Sequence, residues 1–161
     1  MPRTPSSYPD FAMPCDRRLP QQALQYRLRH SPPLTSGKFL GAINVTAWLY
    51  VDKTGKRDVQ VNPNTTIKEL MRKFGPAETP DAEVGFHSEM NAAEWFRRKP
   101  YLQVLQIFSE RIPCREMCGP MLKAYFPGVP WYYYYNARSW KDERGKIFKY
   151  AGEVLKSAYE L

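Results

Sequence analysis

Residues 86–118 read FHSEMNAAEWFRRKPYLQVLQIFSERIPCREMC, and two changes of hydrophobic period divide this stretch. From Ser88 to Arg98, Met90, Ala93 and Trp95/Phe96 fall on one side at helical spacing, so a helix is expected there. Tyr101 to Phe108 alternates apolar and polar, the period of a strand with one face buried. Cys114 to Tyr125 returns to helical spacing, interrupted early by Gly119-Pro120. Helix, strand and helix in so short a stretch need a sheet on which the helices can bury their apolar sides, which places the chain among α/β proteins.

The flanking sequence extends this pattern. Upstream, Gly41 to Val51 (GAINVTAWLYV) is rich in β-branched and aromatic residues. Asp52-Lys53-Thr54-Gly55 and a second run, Arg57 to Val61, follow it, giving a strand, a Gly-containing turn and a strand. Asn64 or Thr65 then caps a helical run with Ile67, Leu70, Met71 and Phe74 on one face, closed by Gly75-Pro76. Downstream, Val129 to Tyr135 reads as an aromatic strand, and Gly145 to Leu161 as a final helix or a strand and helix, Lys146–Tyr150 being the one stretch able to supply a last strand. The order β-β-α-β-α-β-α calls for helices covering a mixed sheet of four to five strands. Residues 1–37 hold seven of the 15 prolines and read as a linker with a short helix over Gln21–Arg29, where Ala23, Leu24 and Leu28 recur. The expected organisation is therefore an N-terminal linker over 1–37 and one domain over 38–161.

The 161 residues suit a single core, with 43% apolar and 14% aromatic side chains. No stretch approaches the roughly 20 apolar residues that span a bilayer, and the first seven residues lack the apolar region of a signal peptide. A soluble protein is expected. Three cysteines cannot form a complete disulfide framework. Lys and Arg total 24 against 16 acids, a formal net charge of +8 with a pI near 9.4. That excess favours polyanionic partners, above all nucleic acid. The 11 Tyr, 8 Phe and 4 Trp add rings on which unpaired bases stack.

The chemistry concentrates in His87-Ser88-Glu89 and in Pro113-Cys114-Arg115-Glu116-Met117-Cys118. One imidazole and two thiolates are strong ligands for zinc (Zn2+), and three protein ligands leave the fourth tetrahedral position open for water. Cys15 and His30 are the remaining candidates for a fourth ligand, and both lie in the N-terminal segment, so an open, catalytic site is favoured over a closed structural one or a pair of buried thiols. His87 and Cys114 each fall where a strand or loop gives way to a helix, and helix N-termini stabilise thiolates. Glu89, two residues beyond the histidine, is placed to move protons to and from a metal-activated water rather than to bind the metal.

H-x-E followed by P-C-x-x-C is the signature of the zinc-dependent nucleobase deaminases. This chain resembles that superfamily, and within it the deaminase domains of bacterial polymorphic toxins. The likeness is carried by Phe86–Trp95, Ile107–Cys118 and the FP-VP and Tyr-rich stretch Phe126–Tyr135, and it covers roughly residues 40–137. One departure is that three residues separate Cys114 from Cys118, where two are commonest. The resemblance implies a cytidine deaminase-like α/β/α sandwich, with His87, Cys114 and Cys118 on zinc and Glu89 as proton shuttle. It further implies hydrolytic conversion of cytosine to uracil in single-stranded DNA by zinc-activated water. In the resembled fold the loop after the aromatic strand lies beside the pocket, so Tyr134, Tyr135, Asn136, Arg138 and Trp140 become candidate substrate contacts, with Lys38 at the pocket rim. A core role is the alternative for each tyrosine, since alternate residues of a strand face opposite sides.

If the toxin resemblance holds, the domain is a monomeric warhead delivered into the cytoplasm of a target cell, and a cognate immunity protein covers its site in the producing cell. Three rival readings keep some of these features. A deaminase of free cytidine nucleosides or nucleotides shares the zinc site, as does one of RNA or double-stranded DNA. A zinc-stabilised nucleic-acid-binding module shares the basic surface but has no use for Glu89.

Overall fold

Val45, Ala47 and Leu49 are buried on one side of a strand, and Trp48 is buried on the other. A strand buried on both faces belongs inside a sheet with helices above and below. The computed structural model describes residues 1–8, 13–66, 68–69, 72, 88–136 and 144–161. In chain order their elements are β1 (Ser6–Tyr8), α1 (Arg18–Arg29), α2 (Lys38–Ala42), β2 (Val45–Val51), β3 (Arg57–Pro63), α3 (Ser88–Arg97), β4 (Gln103–Ser109), α4 (Cys118–Tyr125), β5 (Trp131–Tyr133) and α5 (Arg144–Tyr159).

The protein is mixed α/β, with a five-stranded sheet in the order β1-β5-β4-β2-β3. The pairing is antiparallel between β2 and β3 and between β2 and β4, parallel between β4 and β5, and antiparallel between β5 and β1. Asp52 closes the β2–β3 turn: its Oδ1 accepts the N–H groups of Thr54 and Lys56 at 2.8 and 3.0 Å, and Gly55 takes the positive φ of 85° that the turn needs.

Two cores follow from the alternation. On one face α1, α2 and α5 pack Leu19, Ala23, Leu40, Ile147, Ala151 and Leu155 against Val45, Ala47, Leu49, Phe108 and Tyr132. On the other, α3 and α4 pack Ala92, Ala93, Phe96 and Leu122 against Trp48, Ile107 and Trp131. Trp48 centres this second core, stacked on Phe96 at 5.1 Å and meeting Phe126 edge-on at 5.0 Å, geometries that suit the ring quadrupoles. Among the described residues no helix is long and apolar enough to cross a membrane.

Several sequence expectations need correction. Within 1–37, where a linker was expected, Ser6–Tyr8 forms an edge strand, α1 spans twelve residues, and Leu19, Ala23 and Leu34 are fully buried. Proline is compatible with this because an edge strand and the first helical turn, where Pro20 sits, do not need its missing N–H. The expected strand from Gly41 begins only at Val45, because Lys38–Ala42 is helical. Lys146–Tyr150 lies within α5, and the sheet position next to β5 belongs to β1. The helical run expected after Asn64 falls mostly outside the described residues.

Candidate metal and proton-transfer site

The ends of three elements meet at one place. β4 delivers Ser109 at its C-terminal end, α3 begins with Ser88 and Glu89, and α4 begins with Cys118. Glu89 is 2% exposed, and both its oxygens have partners. Ser109 Oγ donates to Oε1 at 2.5 Å, and Ser88 Oγ lies 3.4 Å from Oε2. Behind the serines stands Asn44, from the turn into β2. Its Nδ2 donates to Ser88 Oγ at 2.7 Å and to Ser109 Oγ at 3.1 Å. The Asn44 amide is itself fixed, since its Oδ1 accepts the Arg111 N–H at 3.0 Å. Donors therefore point in one direction, from the amide through two hydroxyls to the carboxylate.

The thiols lie beside this carboxylate. Cys118 is fully buried and Cys114 half-buried. The Cys118 thiol is within hydrogen-bonding reach of both Cys114 and Glu89. Hydrogen bonding with Cys114, burial and the nearby Glu89 charge, in that order, hold its pKa well above the ordinary thiol value. Two neighbouring thiols are donors of the kind that a borderline-soft dication takes. Such an ion reverses the penalty on the thiolates.

Cys114 is not on the helix, as the sequence pattern predicts, but in the turn before it. The two sulfurs still meet, because Cys114 Sγ accepts the Cys118 N–H at 3.1 Å and the Cys114 carbonyl accepts the Gly119 N–H at 2.8 Å. Met117 at the helix N-cap makes no side-chain cap bond, so Cys114 satisfies donors that helix starts leave open. Gly119-Pro120 does not interrupt α4, since both belong to its first turn.

With this geometry in place, comparison with known proteins adds no relative. No family model matches the chain, and no curated protein or solved structure matches it. The site therefore rests on its own residues. Two of the three expected metal ligands, Cys114 and Cys118, are adjacent to each other, and Cys118 also reaches Glu89. The third, His87, lies outside the described residues. Among the described residues no group of three or more His, Cys, Asp and Glu side chains is arranged to hold a metal ion.

The expected substrate contacts divide. Arg138 and Trp140 lie outside the described residues, Lys38 opens α2, and Asn136 is exposed just past β5. Tyr134 and Tyr135 are core residues, 7% and 4% exposed. Tyr134 packs edge-on against Phe108 and Tyr159 and donates its hydroxyl to the Arg3 carbonyl at 2.6 Å. Tyr135 meets Tyr150 edge-on. Rings committed in this way leave no face for a base, and the helices on that side of the sheet explain why.

Sequence reasoning missed Asn44, Ser109 and the neighbouring pair Glu110–Arg27. Both charged groups are fully buried. The guanidinium grips the carboxylate through two bonds of 2.7 and 2.8 Å and also donates to the carbonyls of Leu34 and Ile43. Glu110 accepts from Val45 N and Tyr159 Oη as well. Locally, Ser109-Glu110 follows the apolar Ile107-Phe108 and Arg27 lies four residues after Ala23 on the apolar side of α1, but neither position reveals the other as its partner.

Proposed function

We propose that this protein is a zinc-dependent deaminase of the cytidine deaminase-like superfamily, converting cytosine to uracil in single-stranded DNA. The observation that carries the reading is the meeting of buried Glu89 with Cys114 and Cys118 at the starts of two helices. The mixed sheet with helices on both faces supports the α/β/α sandwich the reading requires.

His87, Cys114 and Cys118 would hold the metal. Zinc bound there supplies Lewis acidity that makes a water nucleophilic near neutral pH. The rest falls to the chain. Glu89 takes a proton as water adds to C4 of the base and passes it to N3; it then takes the proton of the new C4 hydroxyl and gives it to the amine, which leaves as ammonia as the C4 carbonyl forms. Ser88, Ser109 and Asn44 keep the carboxylate aimed, so its geometry is set before substrate arrives. An unpaired base enters without the few kcal/mol of unstacking that a duplex demands, and the net charge of +8 draws in the phosphate backbone. The toxin resemblance makes the domain a delivered effector with a cognate immunity protein. A binding module would not explain a buried carboxylate placed beside two thiols.

The test uses cytosine-containing oligonucleotides, single-stranded and duplex, with RNA and free cytidine in parallel. Uracil is read by glycosylase cleavage on DNA and by mass on the others. Wild-type protein should act on single-stranded DNA, and Glu89→Gln should lose about 10²–10⁴-fold in rate with zinc content unchanged by elemental analysis. Turnover by Glu89→Gln at the wild-type rate would remove the shuttle. Zinc-loaded protein inert on every substrate would overturn the reading.

A further inference from the structure

α3, α4 and β4 each have one end at the site just described. At their other ends lies a groove with a different character. The groove comprises two adjoining recesses of about 280 and 430 Å³ that have Phe126, Pro127 and Val129 in common. Its extent falls in the range of sites that hold small-molecule-sized groups. At one end Lys123 sits 5.9 Å from the rings of both Tyr8 and Trp131, which stack on each other at 5.4 Å. At the other, Arg97 sits 5.9 Å from the ring of Tyr125, which is 63% exposed.

Cations stand beside aromatic rings along this channel, Lys123 by Tyr8 and the buried Trp131 and Arg97 by the exposed Tyr125. The acid nearest Arg97 is Glu94, which Arg97 and Arg98 share at 3.6 and 3.5 Å, leaving the cluster positive. Positive charge that follows a phosphate backbone, with rings between for bases to stack on, is the composition of a single-strand track. A duplex keeps its base faces covered and cannot use the rings. Over the ten residues of α3 the rise of about 1.5 Å per residue separates the two places by about 14 Å, so the channel is distinct from the thiol–carboxylate site.

We propose that the groove between Tyr8 and Arg97, centred on Lys123 and Tyr125, binds single-stranded nucleic acid independently of the catalytic pocket. It holds a strand by stacking and phosphate contact, without reading its sequence.

The experiment measures binding of fluorescent oligothymidylate to the full chain by anisotropy. That probe has no target cytosine, so the result stands whether or not the deaminase reading does. Binding should weaken with salt. Tyr125→Ala should weaken it about tenfold, and Tyr125→Phe should restore it, because stacking needs the ring and not the hydroxyl. Lys123→Glu should weaken it by a similar factor, whereas Lys156→Glu, an exposed reversal on α5 across the sheet, should leave it within twofold of wild type. Both target side chains are exposed, and matched melting curves would show that the variants fold. Absence of binding, equal loss at Lys123 and Lys156, or equally tight binding of oligoglutamate that ignores Tyr125→Ala would each overturn the proposal, the last in favour of an acidic protein partner.

Discussion

A carboxylate and a guanidinium removed together from water are tolerated only when their donors and acceptors are filled. Arg27 and Glu110 meet that demand with partners from α1, the stretch before α2, the turn into β2, and α5. The Glu110 backbone adds further ties: its carbonyl accepts from Tyr134 and Tyr135, and its N–H donates to Val45. The pair therefore fixes where β4 ends, and with it Ser109, the donor to Glu89. Glu110→Ala leaves a guanidinium buried and uncompensated, which should cost about 3–5 kcal/mol, read from urea unfolding midpoints at constant slope. Replacing both partners with apolar residues of similar volume should cost less than that single change. A double replacement as costly as the sum of the singles would show the two residues to be uncoupled. This network was hidden in the sequence for a physical reason: hydrophobic periodicity places apolar side chains, whereas a buried ion pair depends on long-range contact between residues 83 positions apart. The closeness of Cys118 to Cys114 and Glu89 could be anticipated, because the proposed metal and proton chemistry would need particular residue types at short spacing.

Between elements, α2 approaches α5 closely at Gly41. A Cβ built on Gly41 would lie 1.8 Å from the Phe148 carbonyl oxygen and 2.9 Å from the Gly152 nitrogen. Both are backbone atoms, which no rotamer change can move. Gly41→Ala should therefore force the helices apart and destabilise the protein by about 3 kcal/mol or more, measured by chemical denaturation. Gly152→Ala is the internal control. Its Cβ meets nothing nearer than 3.9 Å, and alanine favours a helix by about 1 kcal/mol over glycine, so this variant should be neutral or more stable. The same contact explains a misreading. Gly41, Ala42 and Ile43 continue smoothly into the β-branched run of β2, and nothing local separates them. The helix exists because a glycine there lets it dock. By contrast α3 is legible to within a residue, since it buries a single face at a regular period, and β4 to within two residues at its start and one at its end, although it is buried on both faces. β1 was illegible because three residues between prolines carry too little pattern, and pairing with β5 decides their structure.

Over the whole molecule, burial of weak acids ties stability to alkaline pH. Burial, aided by neighbouring Asp16, pushes the Cys15 thiol up to about 12. Burial likewise raises Tyr26, Tyr132, Tyr134, Tyr135 and Tyr159 above the ordinary tyrosine value. For Tyr159 the Glu110 carboxylate, which accepts its hydroxyl at 2.6 Å, opposes ionisation further. In the unfolded chain these groups release protons at their ordinary values, 9.0 for the thiol and 10.0 for the phenols. The folded state keeps them, so above those values it holds more protons than the unfolded state. Stability is then full below about pH 9 and falls as pH rises, by about 1.4 kcal/mol per pH unit for each group in its window. Surface groups that titrate alike in both states add nothing to this slope. Melting temperature should stay level up to about pH 8 and then drop with increasing steepness through pH 9 and 10. Cys15→Ala should delay the onset towards the tyrosine range, and a wild-type melting temperature unchanged up to pH 11 would show that the fold does not hold these protons. The groups in question lie in or against the core that α1, α2 and α5 share with the sheet, so the alkaline transition should report on that layer.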